Sequence, residues 1–240
     1  MSVDQALLES ANHFGQVTFR WYRWQPATLS LGYFQPYRDR ETHRPSITCD
    51  CVRRASGGGA ILHDREWTYS LTLPARDRLA TAHEVLVDLI HQAVIDALSR
   101  FNIAAQFFAD YQAEQEPTQK EQNAPQPFLC FLRRSKNDLV IGDHKVLGSA
   151  QRRVDGALLQ HGSILLQRSA FAPELPGILD LNRQPEATPD ERALFDQFNQ
   201  SIADKLELTF EQTSLTESER QLAQTIEHAR FANQKWTQKR

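Results

Sequence analysis

Arg53-Arg54-Ala55-Ser56-Gly57-Gly58-Gly59-Ala60-Ile61-Leu62-His63-Asp64, leading into Glu66-Trp67-Thr68-Tyr69-Ser70-Leu71-Thr72-Leu73, carries the densest chemistry in the chain. Three successive glycines remove every Cβ from a short span. The backbone there can take positive φ, and an acyl chain or a phosphate can lie against exposed amides. Arg53 and Arg54 before the glycines suit an anionic group, and His63 and Asp64 after them place a titratable pair beside the same loop. A glycine triplet alone reads as a flexible hairpin loop. Its surroundings separate it from two nucleotide fingerprints: no Gly-x-x-x-x-Gly-Lys-Ser/Thr follows, and the next segment alternates like a strand instead of opening a helix.

Upstream, residues 47–53 alternate with period two and read as a strand feeding the loop, with Cys49, Cys51 and Arg53 on one face. Cys49 and Cys51 lack zinc spacing and no second cysteine pair exists, so they read as small hydrophobes and no metal site is expected. Residues 17–24 are β-branched and aromatic, a strand by propensity, with 28–32 as the expected partner strand. Tyr33-Phe34-Gln35-Pro36-Tyr37 closes that pair with a proline-broken turn whose rings read as core, and 4–14 reads as a first helix.

Downstream, residues 81–101 are the clearest helix, with Val85-Leu86, Leu89-Ile90, Val94, Ala97-Leu98 and Phe101 on one stripe. His91, Gln92 and Asp96 are expected to face outward, and His83 and His91 to be solvated. Residues 112–126 carry Gln, Glu, Pro and Asn without an apolar period and read as a long, mobile loop. A second informative region follows, from Pro127-Phe128-Leu129-Cys130-Phe131-Leu132 to Gly142-Asp143-His144-Lys145-Val146-Leu147-Gly148-Ser149-Ala150-Gln151. Gly142-Asp143 between apolar runs signals a two-residue hairpin, which would pair Ile141 with His144 and Val140 with Lys145. A lysine within a strand is either an exposed edge charge or a site residue. Residues 157–166 form another strand, interrupted by Gln160-His161-Gly162-Ser163, where the glycine indicates close backbone approach or a bulge. Residues 191–206 and 216–231 read as closing helices, the latter acidic early and basic late as the helix dipole favours.

The chain has 240 residues, 40% of them hydrophobic, enough to bury a core as one large domain. Its net charge of −3 argues against a general nucleic-acid binder. No apolar stretch of about 18 residues offers a membrane span. The opening residues lack a basic start and an apolar run, so no signal peptide is expected, and three cysteines point to a reducing cytoplasm.

These motifs together make the chain resemble the lipoate/biotin protein ligase catalytic family, and within it the cysteine-dependent octanoyltransferases built like lipoate ligases. Residues 53–64 match the family's glycine-rich signature, 142–151 its lysine loop, and Gln160-His161-Gly162-Ser163 its downstream strand, in the family's order. Residues 2–166 carry the resemblance; the rest follows it by general pattern. It implies an α+β (α/β) fold with a mainly antiparallel sheet packed against helices. It also implies one catalytic domain over 1–240, with 173–240 as a helical C-terminal extension.

The implied activity takes octanoyl from acyl carrier protein, holds it as a thioester on Cys130, and passes it to a lipoyl-domain lysine. Acceptors of that kind include glycine cleavage H protein and the E2 component of 2-oxoacid dehydrogenases. Neither ATP nor a metal takes part on this route. The resemblance assigns catalysis to Cys130 and Lys145. It assigns substrate binding to Arg54, Ser56, Gly57, Gly58, Gly59, His63, Gly148, Ser149, Ala150, His161 and Gly162. His63 is read as supporting the loop, and His161 either as ordering the site and assisting the second attack or as a satisfied structural residue. Arg53 and Arg54 are read as steering acidic carriers or, in a ligase, as serving ATP phosphates. A free thiol is only a few per cent thiolate at neutral pH, so a nearby cation is needed, and Lys145 is the candidate. Glu66-Trp67-Thr68-Tyr69-Ser70 is similar to the transferases. Asn137-Asp138-Leu139 is similar to a ligase segment, and Gly59 stands where transferases often carry arginine. The alternatives are therefore an ATP- and Mg-dependent lipoate–protein ligase, an octanoyl amidotransferase between lipoyl domains, and a silent acyl or lipoyl-domain binder. A monomer is expected, with no nucleic-acid or membrane partner.

Overall fold

The computed structural model describes residues 1–115, 126–184 and 188–240. Its first half holds α1 (Ser2–Phe14), β1 (Thr18–Tyr22), β2 (Thr28–Leu31), β3 (Asp50–Arg53), β4 (Ile61–His63) and β5 (Glu66–Leu73). Next come α2 (Arg78–Thr81), α3 (His83–Ser99), β6 (Gln106–Phe107) and α4 (Phe108–Ala113). The remainder holds β7 (Leu139–Ile141), β8 (His144–Val154), β9 (Ala157–Leu165), α5 (Ile178–Leu181), α6 (Glu191–Leu206), α7 (Glu217–Ile226) and α8 (Gln234–Thr237). A six-stranded sheet runs β1-β5-β9-β8-β7-β6, and a three-stranded sheet runs β3-β2-β4. Every neighbouring pair of the large sheet is antiparallel, and only β2 with β3 is parallel, so the expected mainly antiparallel α/β architecture is what the chain adopts.

β5 lies between β1 and β9, and all eight of its residues are buried. Trp67, Tyr69, Leu71 and Leu73 join a core with Leu86, Ile90 and Val94 of α3 and Phe198 and Ile202 of α6. Full burial of a side chain such as Phe198 contributes about 2 to 3 kcal/mol. The alternate residues of β5 face a second, polar interior: Thr68 accepts from the Trp24 indole at 3.0 Å, and Ser70 donates to Asp4 at 2.8 Å. Period-two alternation here separates two buried faces, one oily and one hydrogen-bonded, instead of core from solvent.

The predicted hairpin forms with the predicted register: Ile141 faces His144 and Val140 faces Lys145 across Gly142, whose φ is +59°. The closing helices also form. Asp190 caps α6 by accepting from Ala193 N at 2.7 Å, and a reciprocal Thr216 and Glu219 box opens α7. α6 lays Leu194, Phe198, Ile202 and Leu206 into the main core, and α7 packs Ala223 and Ile226 with Ala6 of α1. α8 is stitched to the end of β3: the Trp236 indole donates to Arg53 O at 3.0 Å, and Arg53 Nε donates to Thr237 O at 2.9 Å.

Three expectations are corrected. β1 and β2 are not partners: β1 pairs with β5, with Thr18 opposite Thr72, whereas β2 lies between β3 and β4 in the other sheet. Propensity marks a strand but not its neighbour, and burial of all four β2 residues is met by the smaller sheet. The strand expected from residue 47 begins at Asp50, because Cys49 N donates to Ser46 O at 3.1 Å and closes a turn. Phe34 stands 70% exposed and does not join the core. Ten of the fifteen residues of the expected loop at 112–126 fall outside the described residues; its first two residues end α4. Among the described residues no helix is long and apolar enough to cross a membrane.

Candidate active site

The glycine loop and the segment bearing Cys130 are held together through main-chain atoms. Ala60 N donates to Phe128 O at 2.9 Å and Cys130 N donates to Ala60 O at 2.7 Å, forming a parallel bridge between Ala60 and Leu129. Cys130 then opens a short 3-10 turn to Leu132. Gly59 makes this approach possible, since a Cβ there would lie 2.9 Å from Cys130 N and 2.8 Å from Arg133 Nε. Gly58, at φ +93°, brings the loop beside the thiol: a Cβ on it would be 3.8 Å from Cys130 Sγ.

A cavity of about 790 Å³ opens beside this junction. Lys145 enters it from β8, 6% exposed, with Nζ 2.9 Å from Asp138 and 5.4 Å from the centre of the Phe131 ring. The edge-charge reading of this lysine is excluded by its burial. Asp138 is itself fixed, accepting from Ser135 N at 2.6 Å. Room for the lysine comes from Gly148.

Two histidine networks back the cavity. Arg54 donates to Ser30 Oγ at 2.8 Å, Ser30 Oγ lies 2.8 Å from His63 Nε2, and His63 Nδ1 lies 3.1 Å from Glu66. With Arg54 donating to the serine, the serine hydroxyl donates to a neutral His63, which donates to the carboxylate. Burial holds His63 below its ordinary value against the opposing pull of Glu66. In the second network Gln160 donates to Tyr69 Oη at 3.0 Å, Tyr69 Oη sits 2.6 Å from Ser149 Oγ, and Ser149 Oγ sits 2.5 Å from His91 Nε2. His91 Nδ1 donates to Asn137 O at 2.5 Å, and because burial keeps the ring neutral its Nε2 accepts from Ser149. His161 Nε2 lies 3.0 Å from Ser56 Oγ, and burial pushes His161 down to about 4.

His91 sets a pH dependence. Burial pushes it down to about 4, while the unfolded chain protonates it near 6.5. The folded value lies below the unfolded one, so stability is fully present above pH 6.5 and is lost as the pH falls toward 4. The loss expected from this residue is about 3 kcal/mol. Urea unfolding at pH 7.5 and 4.5 checks it: His91→Gln should show a flatter pH dependence than the parent, and an equal slope in both would rule His91 out as a source.

A profile of the lipoyl protein ligase A/B catalytic domain matches residues 1–224. The chain belongs to that family. Among relatives of this lipoyl ligase-type domain, octanoyltransferase LipM of Brevibacillus brevis is 31% identical, covering 100% of this chain and 94% of its own length. Octanoyltransferase LipM of Geobacillus kaustophilus is 30% identical, covering 100% and 93%. The same fold is seen in lipoate-protein ligase A bound with ATP, with TM-score 0.72 at 19% identity over 99% of this chain and 92% of that one. It is also seen in a bipartite lipoate protein ligase from Thermoplasma acidophilum, with TM-score 0.71 at 18% identity over 99% and 89%.

In this lipoyl ligase-type domain the cavity wall brings together nearly every residue singled out from the sequence. Cys130, Lys145, Arg54, Ser56, Gly57, Gly58, His63, Gly148, Ser149, Ala150, His161 and Gly162 all line it. Gly59 does not; it packs on the main chain of Cys130, and Arg133 fills the space beside it. Asp64 turns away from His63 to accept from Ser169 at 2.6 Å, so the two are not a working pair. Arg53 and Arg54 do not steer partners. Arg53 is 0% exposed and bonded to the carbonyls of Gly32, Tyr33, Gln35 and Thr237, and Arg54 donates to the carbonyls of Ser30, Gly57 and Gly59. His91 was expected in solvent yet is 1% exposed and lines the cavity; His83 is partly exposed. The signal lay in the helix period, because His91 stands three and seven residues before Val94 and Leu98 and shares their face. Asp138, the lysine's ion-pair partner, carried no signal beyond its place in Asn137-Asp138-Leu139.

Proposed function

We propose that this chain is an octanoyl-[acyl carrier protein]:protein N-octanoyltransferase of lipoate biosynthesis, acting through a Cys130 thioester on lipoyl-domain lysines. The observation that carries the reading is the pair of main-chain bonds fixing Cys130 to the glycine loop, with its thiol beside Gly58 on the cavity that Lys145 enters. A nucleophile held by backbone on two elements is preorganised for attack. The relatives named octanoyltransferase, aligned over the whole chain, support the same reaction class.

On this reading the Cys130 thiolate attacks the carbonyl carbon of the octanoyl thioester, a new C–S bond forms, and the carrier's thiolate leaves and takes a proton. The lysine amine of the lipoyl domain then attacks the enzyme thioester. The C–S bond to Cys130 breaks as the amide forms, and the amine proton passes to the departing thiolate or solvent. Lys145 Nζ holds the oxyanion in both steps, an interaction worth about 3 kcal/mol for one such donor. The Gly57 to Gly59 span lets the acyl group lie close to main chain. Three free thiols accord with a cytoplasmic setting.

Intact-protein mass after mixing with octanoyl-acyl carrier protein and no ATP tests the proposal. An octanoyl adduct that a lipoyl domain chases off is the expected result. No adduct, with lipoyl-domain modification only when free octanoate or lipoate and ATP are supplied, would move the chain to the ligase reaction. An adduct formed from octanoylated lipoyl domain but not from the carrier would make it an amidotransferase.

A further inference from the structure

We infer that Arg54 is the counter-ion of the Cys130 thiolate, a role that residue spacing alone assigns to Lys145. The inference rests on Cys130 being the nucleophile and concerns what makes it reactive.

Arg54 is 4% exposed, and its guanidinium is spent on neutral acceptors: Ser30 O at 2.6 Å, Ser30 Oγ at 2.8 Å, Gly57 O at 3.1 Å and Gly59 O at 2.7 Å. None of the ion pairs among the described residues includes it. A buried cation held only by neutral oxygens is satisfied in hydrogen bonds but not in charge, and a neighbouring anion offsets its lost hydration. The group placed to be that anion is Cys130. A Cβ built on Gly58 would lie 3.6 Å from Arg54 Nη2 and 3.8 Å from Cys130 Sγ, so both groups lie within van der Waals reach of one point beside the loop. Burial pulls Arg54 down to about 10, and the charge of Cys130 is the influence that pulls it back up.

The rival cations are otherwise engaged. Lys145 is balanced by Asp138 at 2.9 Å and faces the Phe131 ring, which leaves it free to bind a developing oxyanion but with little net charge to lend the thiol. Arg133 is partly exposed and donates to Pro127 O at 2.7 Å, so solvent screens it. Arg54 and Lys145 thus divide the work: Arg54 is the thiolate's counter-ion, and Lys145 meets the substrate oxygen.

The test is the rate of Cys130 alkylation at pH 7 by iodoacetamide and by iodoacetate, read by peptide mass so that Cys49 and Cys51 are counted separately. Arg54→Met should slow iodoacetamide at least about tenfold, because the thiolate is the reacting species. Arg54→Lys should stay within about threefold of the parent, and Lys145→Met should lose octanoyl transfer while its alkylation also stays within about threefold. Loss of loop geometry would slow both reagents equally, whereas loss of a local positive charge lowers the iodoacetate to iodoacetamide ratio. Parent-like alkylation in Arg54→Met, equal losses in Arg54→Met and Arg54→Lys, an unchanged reagent ratio, or a tenfold loss in Lys145→Met would each overturn the inference. No acyl donor is present, so the outcome is read independently of whether an octanoyl adduct forms.

Discussion

Cys130→Ala is expected to abolish ATP-free octanoyl transfer, by at least about 10³-fold, and to leave no acyl adduct on the protein. The loss is large because nothing else on the cavity wall replaces the thiol. Ser56, Ser135, Ser149 and Ser163 also line it, but their hydroxyls are far weaker nucleophiles than a thiol at neutral pH. A serine ester is also a poorer donor to an amine than a thioester. The fold should survive the change, because the position is held by the main-chain bonds Ala60 N to Phe128 O and Cys130 N to Ala60 O, which alanine keeps. A far-ultraviolet spectrum and melting temperature close to the parent's therefore accompany the loss. Retention of full ATP-free transfer in Cys130→Ala would end the thioester mechanism. Retention of ATP-dependent lipoyl-domain modification alone would reassign the chain as a ligase.

Gly148→Ala acts on the buried lysine of the site and not on the backbone. A Cβ at this position would lie 2.5 Å from Lys145 Cε and 2.7 Å from Lys145 Nζ, and 3.3 Å from Asp138 Oδ1. The atoms in the way are the end of a flexible side chain, which can move, so the backbone has no cause to shift. The lysine must leave its present position and, on the proposed mechanism, takes the oxyanion contact with it. The expected result is a fall in kcat of about 10²-fold, the cost of one oxyanion donor, together with a lowered melting temperature, because displacing Lys145 breaks its buried pair with Asp138. On the proposed mechanism KM for the acyl carrier should change much less than kcat, because that mechanism assigns Lys145 to the oxyanion and not to the carrier. A Gly148→Ala protein with parent kcat would show that Lys145 is not the oxyanion donor. One that fails to fold would show instead that the site's geometry tolerates no added atom.

Much of the fold could be read from local pattern. The α6 boundaries, the Gly142 hairpin register and the buried stripe of α3 follow from periods of 3.6 and 2 and from turn chemistry, which neighbouring residues set. Strand partnership could not be read that way, since β1 meets β5 across about fifty residues of chain and β2 joins a different sheet. His91 misled for a related reason: a polar residue on a helix is taken for solvent unless a distant acceptor such as Asn137 O is known to be waiting.

The candidate site divides along the same line. Residue type and order single out the glycine span, Cys130, Lys145 and the Gln160-His161-Gly162-Ser163 step as candidate chemical parts, because backbone freedom, nucleophilicity and charge are properties of the residues themselves. What those parts do to one another depends on distance and burial. Folding turned Arg53 and Arg54 from exposed anion binders into buried braces of the glycine loop, matched Lys145 with Asp138, and set the unmatched charge of Arg54 beside the Cys130 thiol. Electrostatic roles emerge only when desolvation and partners are fixed in space, and in this chain the partners come from strands and loops far apart in sequence.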